Sequence, residues 1–303
     1  MAPQTQYARN GKVSIAFEVF GDPAEGQPLL LIMGLDFQMV WWPDAFCERL
    51  VACGFGVVRF DNRDTGLSTH FSSTARHNPW RALWGRTKPA YTALDMVDDA
   101  LAVMDAVGWA SANVMGGSMG AALAQAMALV HPERVRSLIS CMGLPVDAGP
   151  LRTMSYIRFG LFPRLMRIKP GTTRERQIDS LVAIFRAIAS PGFPFPEEWA
   201  RQAATISHDR SPRDPTSTQR QLAAGRAQKF PPLSSITVPT LVIAGRDDPL
   251  LKLRGAADTA ARIPHARFVS YSGMGHNLPE ELWPEVINEI RAVTRSRSGP
   301  RGA

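Results

Sequence analysis

A serine flanked by glycines is the first group in this sequence that could do chemistry. Residues 116–120 read Gly-Gly-Ser-Met-Gly, which places Ser118 in a G-x-S-x-G pattern. A strand-sized apolar stretch, 112–115, precedes the pattern, and a run of small and apolar residues, 121–130, follows it. This order predicts a buried strand, a sharp turn that exposes the serine, and a helix. The two outer glycines suit such a turn because they have no Cβ to clash.

An acid and a base follow two later strands of the predicted sheet. The pentapeptide alone would occur by chance in roughly one chain in ten of this length, so it gains weight only from partners. Asp247 and Asp248 follow the apolar stretch 238–244, and His276 follows the strand predicted at 267–271. In a parallel sheet the carboxyl ends of the strands meet at one edge. The chain order serine, acid, histidine therefore predicts a nucleophilic site at that edge.

These residue types suit acyl transfer. A serine hydroxyl is a weak nucleophile until a base takes its proton, and His276 is the predicted base. The other histidines open a strand, end a helix or lie in irregular or inserted segments, namely His70, His77, His131, His208 and His265. We favour Asp248 as the acid that orients the imidazole. Asp247 and Asp147 are alternatives, and an Asp-Asp-Pro sequence also suits a simple turn.

Acyl transfer also needs donors for an oxyanion. The backbone N–H of Met119, directly after the nucleophile, is one predicted donor. The loop after the apolar strand 29–33 supplies a second, for which we choose the N–H of Leu35, with Gly34 beside the substrate. An ordinary strand-ending turn explains Gly34-Leu35 equally well.

The elements that position these residues alternate between strand and helix. Residues 12–20 alternate apolar and polar side chains, whereas 29–33 and 55–60 are apolar runs typical of strands buried on both faces. Helical spacing follows at 44–53 and at 94–104, and a further strand is predicted at 135–142. The alternation predicts a mostly parallel sheet with helices on both faces.

Between residues 144 and 232 the rhythm changes to helical patterns broken by prolines, with no buried-strand run. We predict a helical insertion there. Its aromatic residues either line an acyl pocket or form the core of the insertion itself; they are Phe159, Phe162, Phe193, Phe195 and Trp199. The segment Asp61 to Ser68 could bind an anion, but a loop that ties strand ends together is the favoured interpretation.

Composition limits the remaining function classes. The chain has 303 residues and 45% hydrophobic content, and no apolar run approaches the length of a membrane span. No signal peptide is visible, and three cysteines without metal-ligand spacing suggest thiols in a reducing compartment, hence a cytoplasmic protein. The net charge of +7 comes from basic residues that are scattered apart from the stretch 152–176 and the C-terminal tail. No nucleic-acid-binding motif accompanies them, so nucleic acid is not expected as a partner. No phosphate loop, cofactor motif or metal-ligand cluster is present in the sequence.

Five stretches together resemble serine hydrolases of the α/β-hydrolase superfamily, and most closely the branch that contains aclacinomycin methylesterase and related bacterial lipase/esterase-like proteins. The stretches are 30–35, 59–68, 116–121, 239–250 and 273–279. The resemblance covers the core segments and implies a capped α/β-hydrolase, which we divide into a core at 1–144 and 233–294 and a helical cap at 145–232 inserted after the sixth strand. The composition of the basic tail, 295–303, predicts that it has no fixed structure. The resemblance also implies Ser118 as nucleophile, Asp248 as acid, His276 as base, and Leu35 and Met119 as oxyanion donors. Many superfamily members carry His-Gly where this chain has Met33-Gly34, which removes a polar side chain from the oxyanion loop.

We therefore predict a carboxylic ester hydrolase that acts through a serine acyl-enzyme on a small to medium apolar ester, without a cofactor. A C–C bond hydrolase or a perhydrolase would use the same three residues. A hydrolase-like ligand-binding protein is the alternative from a different class. Dehalogenases and epoxide hydrolases need an acidic nucleophile, which Ser118 is not.

Overall fold

The centre of the molecule is an eight-stranded sheet. A computed structural model of the chain describes residues 3–71, 89–169 and 171–295. The strands are β1 Gln6–Asn10, β2 Val13–Phe20, β3 Gln27–Ile32, β4 Phe55–Phe60, β5 Ala112–Gly117, β6 Val135–Cys141, β7 Thr240–Gly245 and β8 Arg267–Tyr271. Their order across the sheet is β1-β2-β4-β3-β5-β6-β7-β8. Strand β2 pairs antiparallel with β1 on one side and with β4 on the other. All the other neighbouring pairs, from β4-β3 to β7-β8, are parallel.

Helices cover both faces of this sheet, as the alternation predicted. They are α1 Asp44–Ala52, α2 Ala93–Ala106, α3 Met119–Val130, α4 Pro150–Tyr156, α5 Phe162–Arg167, α6 Arg174–Ile188, α7 Glu197–Arg210, α8 Pro215–Ala227, α9 Leu253–Arg262 and α10 Trp283–Arg295. Alternate strand residues point to opposite faces, so Leu30 packs with α2 and α3 while its neighbour Leu31 packs with α1 and α10. The fold class predicted from the sequence is confirmed.

Strand β1 is missing from the sequence prediction. Its residues are mostly polar and only Ala8 is buried, so no apolar run or alternation marks it. The strand forms because its backbone pairs with β2 at the edge of the sheet, from Gln6 opposite Phe17 to Asn10 opposite Val13. With β1 counted, the helical insertion follows the sixth strand.

The insertion contributes five helices, α4 to α8, between β6 and β7. Side chains of α6 and α7 form an apolar cluster with the loop after β3, which includes Met39 and Trp41. At the C-terminus, α10 continues to Arg295, so the first residue of the predicted unstructured tail is helical. The rest of that tail, and His77, lie outside the described residues.

The segment Asp61 to Ser68 ties the strand ends together. The buried carboxylate of Asp61 accepts from the N–H groups of Met39 (2.7 Å) and Leu67 (3.0 Å). Arg63 forms a buried ion pair with Asp99 on α2 at 2.6 Å. Because these charged groups already bond to other protein groups, the contacts fit a loop that ties strand ends together better than an anion site. Among the described residues, no helix is long and apolar enough to cross a membrane.

Candidate active site

Ser118 stands on a strained turn between β5 and α3. Its backbone has φ 55° and ψ −117°, a conformation that is costly for a residue with a side chain. The N–H of Ser118 donates to the carbonyl of Cys141 on the neighbouring strand at 2.9 Å, which holds the turn. A Cβ at Gly116 would overlap the carbonyl of Gly120, so the turn requires glycine there.

Three side chains from three loops meet at this turn. The hydroxyl of Ser118 lies 2.9 Å from Nε2 of His276, and Nδ1 of His276 lies 2.7 Å from Oδ2 of Asp248. Because a carboxylate only accepts, Nδ1 carries the proton and Nε2 is free to accept from the serine hydroxyl. His276 and Asp248 are buried, whereas Ser118 is partly exposed. This arrangement can remove a proton from Ser118 and stabilise the imidazolium that results.

Asp248 is held in place by its own loop. Its second oxygen, Oδ1, accepts from the N–H groups of Leu250 (2.7 Å) and Leu251 (2.8 Å). The two alternative acids point elsewhere. Asp247 is exposed and accepts from the N–H of Gly273 at 2.7 Å, while Asp147 pairs with Arg262. Of the three candidates, only Asp248 bonds His276.

The loop after β3 lies against the nucleophile. A Cβ placed on Gly34 would fall 3.2 Å from Cβ of Ser118 and 3.8 Å from its Oγ, so the backbone here is in close contact. Leu35 follows directly. Within the described chain, the N–H groups of Leu35 and Met119 have no protein acceptor. Two free donors therefore flank Ser118.

A cavity of about 790 Å³ opens beside these residues. Ser118 and His276 are on its wall, with Gly34 and Leu35. Most of the remaining wall is apolar and comes from the loop after β3 and from α6 and α7, with Trp41, Phe185 and Trp199 among its residues. The site combines a nucleophile, a base and an apolar chamber.

Comparison with known proteins identifies the family. A family model described as the alpha/beta hydrolase fold matches residues 28–281. The chain belongs to this family. Rhodomycin D methylesterase DnrP of Streptomyces peucetius is 30% identical over 313 residues, covering 96% of this chain and 98% of the relative. RutD of Azorhizobium caulinodans, whose name assigns it carbamate hydrolysis, is 26% identical, covering 94% and 96%.

A solved structure agrees on the fold. Esterase RhEst1 from Rhodococcus sp. ECU1013 has a TM-score of 0.70 at 17% identity, covering 96% of this chain and 98% of that one. Taken with the family match, the hydrolase relatives make this α/β-hydrolase an enzyme of the hydrolase class. The resemblance seen in the sequence is confirmed.

The pocket residues predicted for this α/β-hydrolase divide into two groups. Gly34 and Trp199 lie on the cavity wall. Phe159 and Phe162 do not; they are exposed and contact each other, with ring centroids 5.8 Å apart. The structure therefore does not bring these two rings to the cavity, and the sequence pattern alone does not say which face of a short helix turns inward.

Sequence reasoning missed the residues that brace the histidine loop. The N–H of His276 donates to the carbonyl of Ile188 at the end of α6 (2.9 Å). Ser190 accepts from the N–H of Gly275 (2.8 Å), and its own hydroxyl donates to the Asn277 side chain (2.7 Å). A Cβ on Gly275 would crowd the carbonyl of Ala189 at 2.5 Å. The paired glycines of the Gly-Met-Gly-His stretch were the available signal for this close approach.

Cys141, on the strand beside the nucleophile, is a neutral thiol. Burial, and secondarily the charge of Asp248, raise the pKa of this thiol from 9.0 to about 12. Since the thiolate is the nucleophilic form, Cys141 does not compete with Ser118 near neutral pH. The described residues contain no cluster of three or more metal-ligating side chains.

Proposed function

We propose that this α/β-hydrolase is a carboxylic ester hydrolase that acts through an acyl-enzyme on Ser118. The observation that carries the proposal is the continuous hydrogen-bonded chain from Ser118 through His276 to Asp248, opening onto an apolar cavity. The named activity of the methylesterase relative supports ester hydrolysis as the reaction class.

In the first half of the reaction, Nε2 of His276 takes the hydroxyl proton as Oγ of Ser118 attacks the ester carbonyl. The negative charge that develops on the carbonyl oxygen is stabilised by the N–H groups of Leu35 and Met119. The protonated His276 then gives its proton to the departing alcohol oxygen. The products of this half are the free alcohol and an acyl ester on Ser118.

In the second half, a water molecule takes the place of the alcohol. His276 removes a proton from this water as its oxygen attacks the acyl carbonyl, and the same two N–H groups stabilise the second tetrahedral intermediate. Collapse returns the proton to Oγ of Ser118 and releases the carboxylic acid. Asp248 keeps its charge throughout and stabilises the imidazolium in both halves.

The substrate is a small to medium apolar ester. A cavity of about 790 Å³ lies in the size range of small-molecule sites. We assign residues 145–232 as a cap on a core made of 1–144 and 233–294, since α6 and α7 supply much of the apolar wall. Such a cap excludes bulk water from the acyl-enzyme and selects the acyl or alcohol part by shape.

The test is the release of p-nitrophenol from esters of graded acyl length. Wild type is compared with Ser118→Ala and His276→Ala under pre-steady-state conditions. We expect rapid turnover or a burst of about one equivalent per protein, absent in both variants. Equal, slow release by wild type and Ser118→Ala on every ester would remove the esterase proposal.

Carbamate hydrolysis, C–C bond hydrolysis and the perhydrolase reaction would use the same nucleophile, so substrates for all three are added to the ester panel. The RutD relative is the reason to include a p-nitrophenyl carbamate. A substrate of one of these classes hydrolysed much faster than any ester would move the assignment to that class. The absence of turnover on all of them would favour a ligand-binding role.

A further inference from the structure

Exposed apolar side chains and unpaired cations are concentrated on one short stretch of the cap. Five of the nine large apolar side chains that are exposed in the described chain fall between residues 151 and 166. They are Leu151, Met154, Phe159, Phe162 and Met166. Leu151 is 89% exposed and Met166 is 80% exposed, so neither has a packing role in the monomer. Together with Arg158, Arg164, Arg167 and Lys169 we call these residues the α4–α5 surface.

The charge of this stretch has one sign. Residues 148–173 contain five Lys and Arg side chains and no Asp or Glu. Arg152 pairs with Asp258, but within the described residues the side chains of the four cations of the α4–α5 surface have no hydrogen bond or ion pair. All four are exposed. This surface therefore presents free positive charge beside apolar side chains.

The α4–α5 surface adjoins the active-site cavity. Leu165, on the same helix as Met166, lies on the cavity wall, and so does Leu250. The N–H of Arg158 donates to the carbonyl of Leu250 at 2.9 Å, and the N–H of Leu250 donates to Asp248. Whatever binds this surface is held close to the cavity.

We propose that the α4–α5 surface docks the enzyme on a membrane that contains anionic phospholipids. Phosphate headgroups complement the unpaired cations, and the acyl region accepts the apolar side chains. A nucleic acid would match the cations but leave Leu151 and Met166 in water. A symmetric contact with a second copy would place like charges against each other.

Docking would bring the cavity to esters dissolved in the bilayer. This consequence rests on the proposed esterase function, whereas membrane binding itself does not. Membrane attachment here is reversible and peripheral, since it uses a few side chains and headgroup charge.

The first experiment is vesicle co-sedimentation. Wild type is mixed with phosphatidylcholine vesicles, with or without about a third phosphatidylglycerol, at low salt and at about 0.5 M salt. We expect binding to the anionic vesicles alone, weakened by salt. Sedimentation of the protein without vesicles is measured in parallel.

Two double variants locate the binding surface. Arg164→Glu with Arg167→Glu removes charge, and Leu151→Ser with Met166→Ser removes apolar contact. Each is expected to lower the vesicle partition coefficient by about tenfold or more. The matched control is Tyr7→Ser with Lys12→Glu, which changes one exposed apolar side chain on β1 and one exposed cation in the turn after it, and should bind like wild type.

Every variant is also assayed on a soluble p-nitrophenyl ester. Because these side chains lie outside the cavity wall, hydrolysis should be unchanged. Lost vesicle binding with full hydrolysis supports the proposal and separates it from the fate of the esterase assignment. The proposal is overturned if wild type ignores anionic vesicles, or if both α4–α5 variants bind them normally. The proposal would also be overturned if wild type were a dimer that Leu151→Ser with Met166→Ser converts to a monomer. Binding of wild type to duplex DNA but not to vesicles would overturn it as well.

Discussion

Asp247 and Asp248 are neighbours in sequence with different surroundings. Asp248 is buried. One of its oxygens bonds Nδ1 of His276, and the other accepts from two backbone N–H groups. Asp247 is exposed and holds the N–H of Gly273. An acid that is fixed by its own loop holds the imidazole in one orientation. We therefore assign the charge-stabilising role to Asp248.

Asp248→Asn should lower kcat by about 10⁴, with a small change in KM. The amide oxygen can keep the bonds to Leu250 and Leu251, but its NH₂ group then faces Nδ1 and forces the imidazole proton onto Nε2, where it blocks acceptance from Ser118. Steady-state kinetics on p-nitrophenyl butyrate measures the change. The matched control is Asp247→Asn, which keeps an acceptor for Gly273 and should retain most of the activity. A larger loss of kcat in Asp247→Asn than in Asp248→Asn would contradict the assignment.

At the scale of elements, α8 holds the loop that carries Leu35, the proposed oxyanion donor. Asp36 has φ 64°, a left-handed conformation, and its N–H donates to Oε1 of Gln221 on α8 at 3.0 Å. The Gln221 amide donates to the carbonyl of Arg63 (2.9 Å) and to Thr65 (2.8 Å), so this side chain joins the loops after β3 and β4. The insertion therefore holds the loop of the proposed oxyanion donor and also forms part of the cavity wall.

Gln221→Ala should lower kcat by about tenfold or more, because a small displacement of the Leu35 N–H weakens its bond to the oxyanion. KM should change less, since the apolar wall is kept. The matched control is Gln219→Ala on the same helix, an exposed side chain that should leave both parameters unchanged. Thermal unfolding verifies that both variants are folded. Equal kcat values for the two would show that α8 does not position the loop.

At the scale of the whole molecule, one arginine links the insertion to the sheet. Arg210, the last residue of α7, contacts Glu18 on β2 at 3.1 Å and Asp61 after β4 at 2.6 Å. Both carboxylates are buried. Burial raises the pKa of Asp61, and the Arg210 guanidinium opposes that rise, so the cation stabilises the charged form of this buried carboxylate.

Arg210→Met should lower the free energy of unfolding by about 3–5 kcal/mol, because it leaves the buried carboxylate of Asp61 without its paired cation, whereas Glu18 keeps its ion pair with Arg59. Denaturant unfolding followed by circular dichroism measures the loss. The matched control is Arg201→Met on the same helix, whose ion pair with Asp179 is more than half exposed and is worth about 0–1 kcal/mol. Similar losses in both variants would mean that Arg210 contributes no more than a surface ion pair.

The sequence by itself determined the parts of this protein that depend on local rules. Apolar runs and helical spacing predicted seven of the eight strands' positions and the helical insertion, since each pattern follows from one element's own period. The turn at Ser118 was predictable because only glycine fits where strand and helix meet so closely. The order of serine, acid and histidine followed from placing each after a strand.

The tertiary structure decided what depends on direction and on distant neighbours. It separated Asp248 from Asp247, because adjacent side chains point apart and only one of them faces His276. It formed β1 through pairing with β2, and it turned Phe159 and Phe162 outward. It also brought Ser190 to the histidine loop and Gln221 to the oxyanion loop, across 85 and 185 residues of chain. Contacts over such separations leave no period in the sequence, because the fold alone fixes which surfaces meet.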